Sequence, residues 1–309
     1  MAEKIRKILP AFLILILVAV TIGEIRADVE TPSTSGQVNN VAPSVSGVNL
    51  ADADSGDIGL TENTTTTVYC TATITDTNGG ADISSCTAVI YRSGVAGGAG
   101  CTPNNNNCYS VSSANCTLGS AVGNDKNATA TAYIYFHADP TDTGTYATAQ
   151  GYDSQTWQCQ LKGIDAANAS STATDSTPPD ITTLTALNTD SSITYDALNP
   201  GSNMASTSIA LNATTTGNVP IDVQLRGDDM TYGATGTIAV GNQKYATSTA
   251  AWASGTALTT NYINLEVDMA KPTTSPSDST DIIYWGWQVP SGTPSGTYSG
   301  TNYINAVED

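Results

Sequence analysis

All six cysteines of this 309-residue chain fall between positions 70 and 159, at 70, 86, 101, 108, 116 and 159. An even set confined to one stretch constrains its fold strongly, because covalent bridges decide which segments lie together. There is no Cys-x-x-Cys pair and His137 is the single histidine. Zinc therefore has no ligand set here, and disulfides are the expected state. Disulfides persist in oxidising surroundings, and the start of the chain agrees. Lys4, Arg6 and Lys7 precede an apolar run from Ile8 to Gly23, interrupted by Pro10 and followed by Glu24, Arg26 and Ala27. This order reads as an export signal, residues 1–27, cleaved after Ala27. The run is shorter than the about 20 residues of a spanning helix. A retained anchor is the alternative, and membrane contact is expected only through this segment.

The charge balance excludes one class of partner. Twenty-eight acidic against ten basic residues leave a formal charge of −18 at pH 7. Such a chain repels phosphate backbones, so nucleic acid is not expected to bind. A surface rich in Thr, Ser and Asn instead suits an extracellular setting.

Beyond the signal no segment keeps a 3.6-residue apolar period with caps, which argues against helices. Residues 28–43 have no periodicity and read as a flexible arm. The block 44–167 alternates apolar and polar residues at Val68–Ile74, Ile83–Tyr91, Ala132–Phe136 and Thr156–Leu161. Asp76-Thr-Asn78-Gly79-Gly80 marks a turn between the first two. Residues 168–180, with Pro178-Pro179, read as a linker. The block 181–309 offers strands at 181–187, 207–213, 221–225, 237–240, 262–267, 282–289 and 298–306. The expected fold is all-β, with two sandwiches in tandem.

Three segments carry a resemblance. One is 67–91, a strand, the Asp76-Thr-Asn78-Gly79 turn and a second strand ending Tyr91-Arg92. The others are Asn212 with Gly217–Val223, and Trp285 to Thr301. Together they resemble two-domain exported Ig-like β-sandwich surface proteins of uncultured bacteria and archaea. The resemblance implies two tandem Ig-like β-sandwich domains and a place at the cell surface. It specifies architecture, and no catalytic residue carries over. In immunoglobulin domains a Trp packs beside a cross-sheet bridge. Cys159, two residues after Trp157, would then pair with Cys70. Cys101 and Cys108 flank a Thr-Pro-Asn-Asn-Asn-Asn loop that suits a local bridge, which leaves Cys86 with Cys116. Fifteen connectivities exist for six cysteines, and the residues alone do not choose.

No cofactor motif is present, and Ca²⁺ is the one ion the loops suit. Asp52, Asp54 and Asp57, and Asp76, Asn78 and Asp82, each gather hard oxygen ligands, although neither loop follows the EF-hand pattern. The competing reading is that these residues only shape turns. Trp285 and Trp287 are two apart and share a sheet face. Outward they would form a sugar-stacking platform, and inward they are core. His137 reads as a strand-end residue, and Asp228-Asp229 as a solvated turn. Glycosylation sequons start at Asn63, Asn115, Asn127, Asn168 and Asn212. The expected function is non-catalytic, a structural or adhesive role at the cell surface. Cell-envelope components, glycans or further copies of the chain are the expected partners. A carbohydrate-binding module, possible with calcium, and a β-sandwich hydrolase with paired carboxylates are the alternatives.

Overall fold

Alternating side chains build the first block as expected. The structure, a computed structural model, describes residues 31–54 and 56–309. The signal segment 1–27 and the first three arm residues lie outside the described residues. No helix among the described residues is long and apolar enough to cross a membrane. Residues 31–39 form no strand, are exposed and group apart from Asn40–Asp309. All that follows concerns Asn40–Asp309.

The first block contributes β1 (Ser44–Ala51), β2 (Thr65–Thr75), β3 (Ile83–Arg92), β4 (Cys108–Val111), β5 (Cys116–Leu118), β6 (Asp125–Tyr135), β7 (Trp157–Asp165) and β8 (Ser170–Thr174). A six-residue helix, α1 (Thr145–Gln150), lies between β6 and β7. The strands form two antiparallel sheets, β1-β2-β6-β5 and β4-β3-β7-β8. Val68, Cys70, Ala72 and Ile74 of β2 point inward, as do Ala128, Ala130, Ala132 and Ile134 of β6. They meet Ile90, Trp157 and Leu161 of the facing sheet in one core. Two bridges cross that core. Cys70–Cys159 ties β2 to β7, and Cys86–Cys116 ties β3 to β5. Cys101–Cys108 closes the loop before β4. All six cysteines are paired, which fits an oxidising, extracytoplasmic environment.

The turn at Asp76–Gly80 forms as expected. It joins β2 and β3, which lie in different sheets, so it is a corner between layers. One expectation needs correction. The linker 168–180 contains β8, which pairs with β7 from Gln160↔Thr174 to Ile164↔Ser170. None of its five residues is fully buried. An edge strand without an apolar face leaves no alternation to read. The remainder of the linker is also tied down: Ile58 N–H donates to the Asp180 carbonyl at 2.7 Å and Trp157 N–H to that of Pro179 at 2.9 Å.

The second block is built from shorter pieces: β9 (Leu187–Thr189), β10 (Ser206–Thr207), β11 (Ile209–Thr215), β12 (Ile221–Gly227), β13 (Met230–Tyr232), β14 (Gly236–Ile238), β15 (Gln243–Ala246), β16 (Ala250–Ala251), β17 (Thr256–Ala257), β18 (Ile263–Met269), β19 (Thr280–Trp287) and β20 (Asn302–Glu308). The sheets β17-β15-β19-β11-β9 and β18-β12-β20 enclose a core of Leu211, Val223, Leu225, Tyr245, Ile283 and Trp285. The pairs β10–β16 and β13–β14 stand outside them. The strand expected at 181–187 does not form, because its backbone serves the seam between blocks. Ile181 bridges Ile58, Thr182 N–H donates to the Ile58 carbonyl, and Thr183 N–H donates to Asp142 Oδ2, while Leu184 N–H turns to Asn218 Oδ1 of its own block. Further seam bonds run from Asn63 N–H to the Thr216 carbonyl and from Tyr146 N–H to Glu308 Oε1. The two sandwiches thus belong to one compact unit, Asn40–Asp309.

Candidate functional site

Three strand ends place three carboxylates together. Asp76 follows β2, Asp82 precedes β3, and Asp165 ends β7. The β3–β7 register pairs Ile83 with Asp165, which brings a residue remote in sequence beside Asp82. One oxygen from each of the three lies within 4.8 Å of the others. Two ligands on opposite sides of a Ca²⁺ ion, each ~2.4 Å from it, are ~4.8 Å apart, so this spacing suits a shared ion.

The corner holds these groups by its own bonds. Asp76 Oδ1 accepts Asn78 N–H at 2.8 Å, and Asp82 N–H donates to the Gly79 carbonyl at 2.9 Å. Asp165 Oδ1 accepts Ala169 N–H and its Oδ2 accepts Asn40 Nδ2, both at 2.8 Å. Asp76 and Asp165 are 0% and 1% exposed. Asp76 Oδ2 is buried and lacks a hydrogen-bond partner among the described residues. No lysine or arginine among the described residues pairs with any of the three carboxylates. Like charges at this spacing repel by about 3 kcal/mol per pair at an effective dielectric of 20. A hard divalent cation would satisfy the orphaned oxygen and remove that repulsion together.

Of the residues expected to bind Ca²⁺, Asp76 and Asp82 are brought together. Asn78 is exposed, and its Oδ1 accepts Val41 N–H at 2.8 Å. The Asp52 loop forms no such group among the described residues. Asp52 takes the amides of Asp54 and Gly59, and Asp57 takes that of Asp180. Asp52 and Asp57 shape turns and the seam, and among the described residues Asp52, Asp54 and Asp57 do not gather around one point. Asp165 escaped the sequence, since only strand register carries it to the corner. A second acidic group, Asp222 with Glu266 and Asp268, differs in kind. Asp222 Oδ1 already accepts Val267 and Asp268 N–H. A hydrogen bond with Asp222 raises the Glu266 pKa.

The tryptophan platform is also corrected. Trp285 is 0% exposed and packs on Tyr245. Trp287 stacks on Tyr195 at 5.4 Å and donates Nε1–H to the Asp196 carbonyl. Trp285 is core, and Trp287 is half-buried against Met230, Ile238 and Val289, so neither ring offers a free face for a sugar. An aromatic surface exists elsewhere. Tyr195, Tyr262, Tyr298 and Tyr303 line an open groove of about 720 Å³ with Asp190 and Asn305. Arg226 lies 3.6 Å from the ring centre of Tyr303 and 5.2 Å from that of Tyr262. These tyrosines come from separate strands and loops, so no local motif marked them. Asp228 meets Arg226 and Tyr303, and Asp229 caps Val240 N–H, so the adjacent pair is split between partners.

No family model matches the chain, and no curated protein matches it. Among solved structures it is similar to dimeric latent PorU from Porphyromonas gingivalis, at 12% identity and a TM-score of 0.27. That likeness covers 87% of this chain and 21% of PorU. It is too distant to bear on fold or activity.

Proposed function

We propose that this is an exported, non-catalytic protein of the cell surface, structural or adhesive in role, whose first sandwich is steadied by Ca²⁺. The observation that carries the reading is the pair of bridges crossing one core, Cys70–Cys159 and Cys86–Cys116. They prevent the facing sheets from separating, as a load-bearing extracellular part requires. Asp76, Asp82 and Asp165 would hold the ion at the corner where both sheets meet. Cell-envelope components or further copies of the chain are the partners such a part would engage. The edges of the sheet β18-β12-β20 supply unpaired backbone groups for that contact. Immunogold labelling of native cells tests the role. Label in ordered arrays or fibres on the envelope is expected, and label confined to the cytoplasm would refute it.

A second reading is favoured by the tyrosine groove. Aromatic faces beside amide and carboxylate groups suit a neutral glycan, with stacking on the less polar sugar face and hydrogen bonds to hydroxyls. In that reading the chain is a carbohydrate-binding module, with Tyr262 and Tyr298 in place of Trp285 and Trp287. Calorimetric titration with oligosaccharides tests it, and Tyr262→Ala should remove the heat of binding.

A further inference from the structure

Lys271 follows β18 in the second block, yet its amine ends inside the first. The side chain is 8% exposed. Its Nζ lies 2.6 Å from the His137 carbonyl, 3.1 Å from Asn106 Oδ1 and 3.2 Å from Asp139 Oδ1. A salt bridge needs only the carboxylate. Here a carboxamide is presented to the same amine, and every group around it is held. Asn106 stands in the loop closed by Cys101–Cys108. Its backbone carbonyl accepts Asp139 N–H at 2.8 Å, and Asn104 Oδ1 accepts the N–H groups of Asn106 and Asn107 at 2.9 Å. Asp139 Oδ2 accepts Arg92 Nε–H at 3.2 Å and Asn107 Nδ2–H at 3.3 Å, leaving Oδ1 to the amine.

His137 completes the arrangement. The ring is 0% exposed and packs edge-on to Phe136. Its Nδ1 lies 3.2 Å from Asn106 Oδ1, while Nε2 is buried without a partner among the described residues. We assign the proton to Nδ1, because that nitrogen alone faces an acceptor. Burial and the nearby Lys271 charge push the His137 pKa down to about 4, so the ring is neutral at pH 7. Burial likewise lowers the Lys271 pKa, which eases loss of a proton from the ammonium.

We propose that Lys271 and Asn106 are joined by an amide bond, a covalent cross-link between the two sandwiches made by their own side chains. Asp139 Oδ1 first takes a proton from the Lys271 ammonium. The Nζ lone pair then attacks Asn106 Cγ, and the carbonyl electrons move onto Oδ1, where His137 Nδ1–H stabilises the developing oxyanion. As the intermediate collapses, the C–Nδ2 bond breaks. Asp139 passes protons from the attacking nitrogen to the leaving one, which departs as ammonium. The products are a secondary amide and ammonium, with Asp139 again a carboxylate. No oxidant, metal or water is consumed. The carboxamide turns so that Cγ faces the amine. Holding both groups against each other, the amine buried and the carboxamide half-buried, supplies the effective concentration that the reaction lacks in free solution. Escape of ammonium makes the link permanent.

Mass spectrometry of the folded chain, fully reduced and denatured before measurement, tests this. The protein should be lighter than its sequence by one ammonia. Proteolysis should yield a branched peptide pair containing both Lys271 and Asn106. Lys271→Arg and Asn106→Ser should each restore the full sequence mass and release the pair. A linear Asn106 peptide that has lost ammonia, still separate from Lys271, would indicate succinimide formation and overturn the proposal. Full sequence mass in the unsubstituted protein would also overturn it, leaving a non-covalent contact.

Discussion

The two sandwiches reach stability by different routes. The first has long ladders: β2 and β6 pair over their whole length, from Thr65↔Tyr135 to Thr75↔Asp125. Two bridges then clamp its sheets face to face. The second has no cysteine, and three of its strands are only two residues long. Packing around Trp285 and Tyr245 holds it, together with the seam against its neighbour. The lesson is that covalent restraint need not be spread evenly. A stapled sandwich can act as the template against which an unstapled one is completed.

Breaking the Cys70–Cys159 bridge should give the largest effect. It closes a separation of 89 residues, for which chain entropy sets about 4–5 kcal/mol. Replacing both cysteines by Ala should lower the first sandwich's melting transition strongly. The second, followed by fluorescence of Trp252, Trp285 and Trp287, should move less. An equal fall in both would show that the seam makes them one cooperative unit.

Acid should act next, and on the first sandwich before the second. The His137 pKa falls from 6.5 to about 4 on folding. The unfolded chain therefore binds more protons between those values. Stability is full above pH 6.5 and drops as pH falls towards 4. The loss is up to about 3 kcal/mol where Lys271 is still a free ammonium and less once it is an amide, since burial is the larger cause of the shift. Denaturant titrations across this range should show the slope, and His137→Gln should flatten it.

Calcium sharpens the contrast further. An ion at a hundred times its dissociation constant stabilises the folded state by about 2.7 kcal/mol. Added Ca²⁺ should raise the Tm of the first sandwich alone, and Asp165→Asn should abolish the rise. A shift that survives this substitution would remove Asp165 from the site.

The smallest effect compares two buried indoles. Trp157 Nε1–H donates to the Asp139 carbonyl at 2.9 Å, whereas Trp285 Nε1 has no partner among the described residues. Trp157→Phe should cost about 1–2 kcal/mol more than Trp285→Phe, because only the former breaks a buried bond. Chemical denaturation of the two variants measures the difference.

The same contrast governs what the residues disclosed in advance. Val68–Ile74 and Ile83–Tyr91 were legible because half of each strand is core and half is surface. The strand β1 was not: Gly47 and a register shift between Ser46 and Asn49 break its alternation. In the second block the expected boundaries were roughly placed for β12 and β18 but failed at 181–187, whose backbone partners are split between Ile58 of the first sandwich and the loop residues Thr216 and Asn218 of the second. The acidic corner was half visible. Asp76 and Asp82 share a loop, whereas Asp165 arrives through register. Lys271 gave no signal at all, since its neighbours come from two distant segments, the Asn106 loop and residues 137–139.

The three bridges are concentric: 101–108 lies within 86–116, which lies within 70–159. A polypeptide is made from its N-terminus, so Cys70 is the first cysteine to emerge and its mate is the last. Oxidation in order of emergence would couple Cys70 to Cys86 and trap the wrong isomer. Maturation therefore calls either for thiols kept reduced until Cys159 has appeared, or for an isomerase that reshuffles early pairs. Yield in a heterologous host should depend on that enzyme more than on temperature or inducer.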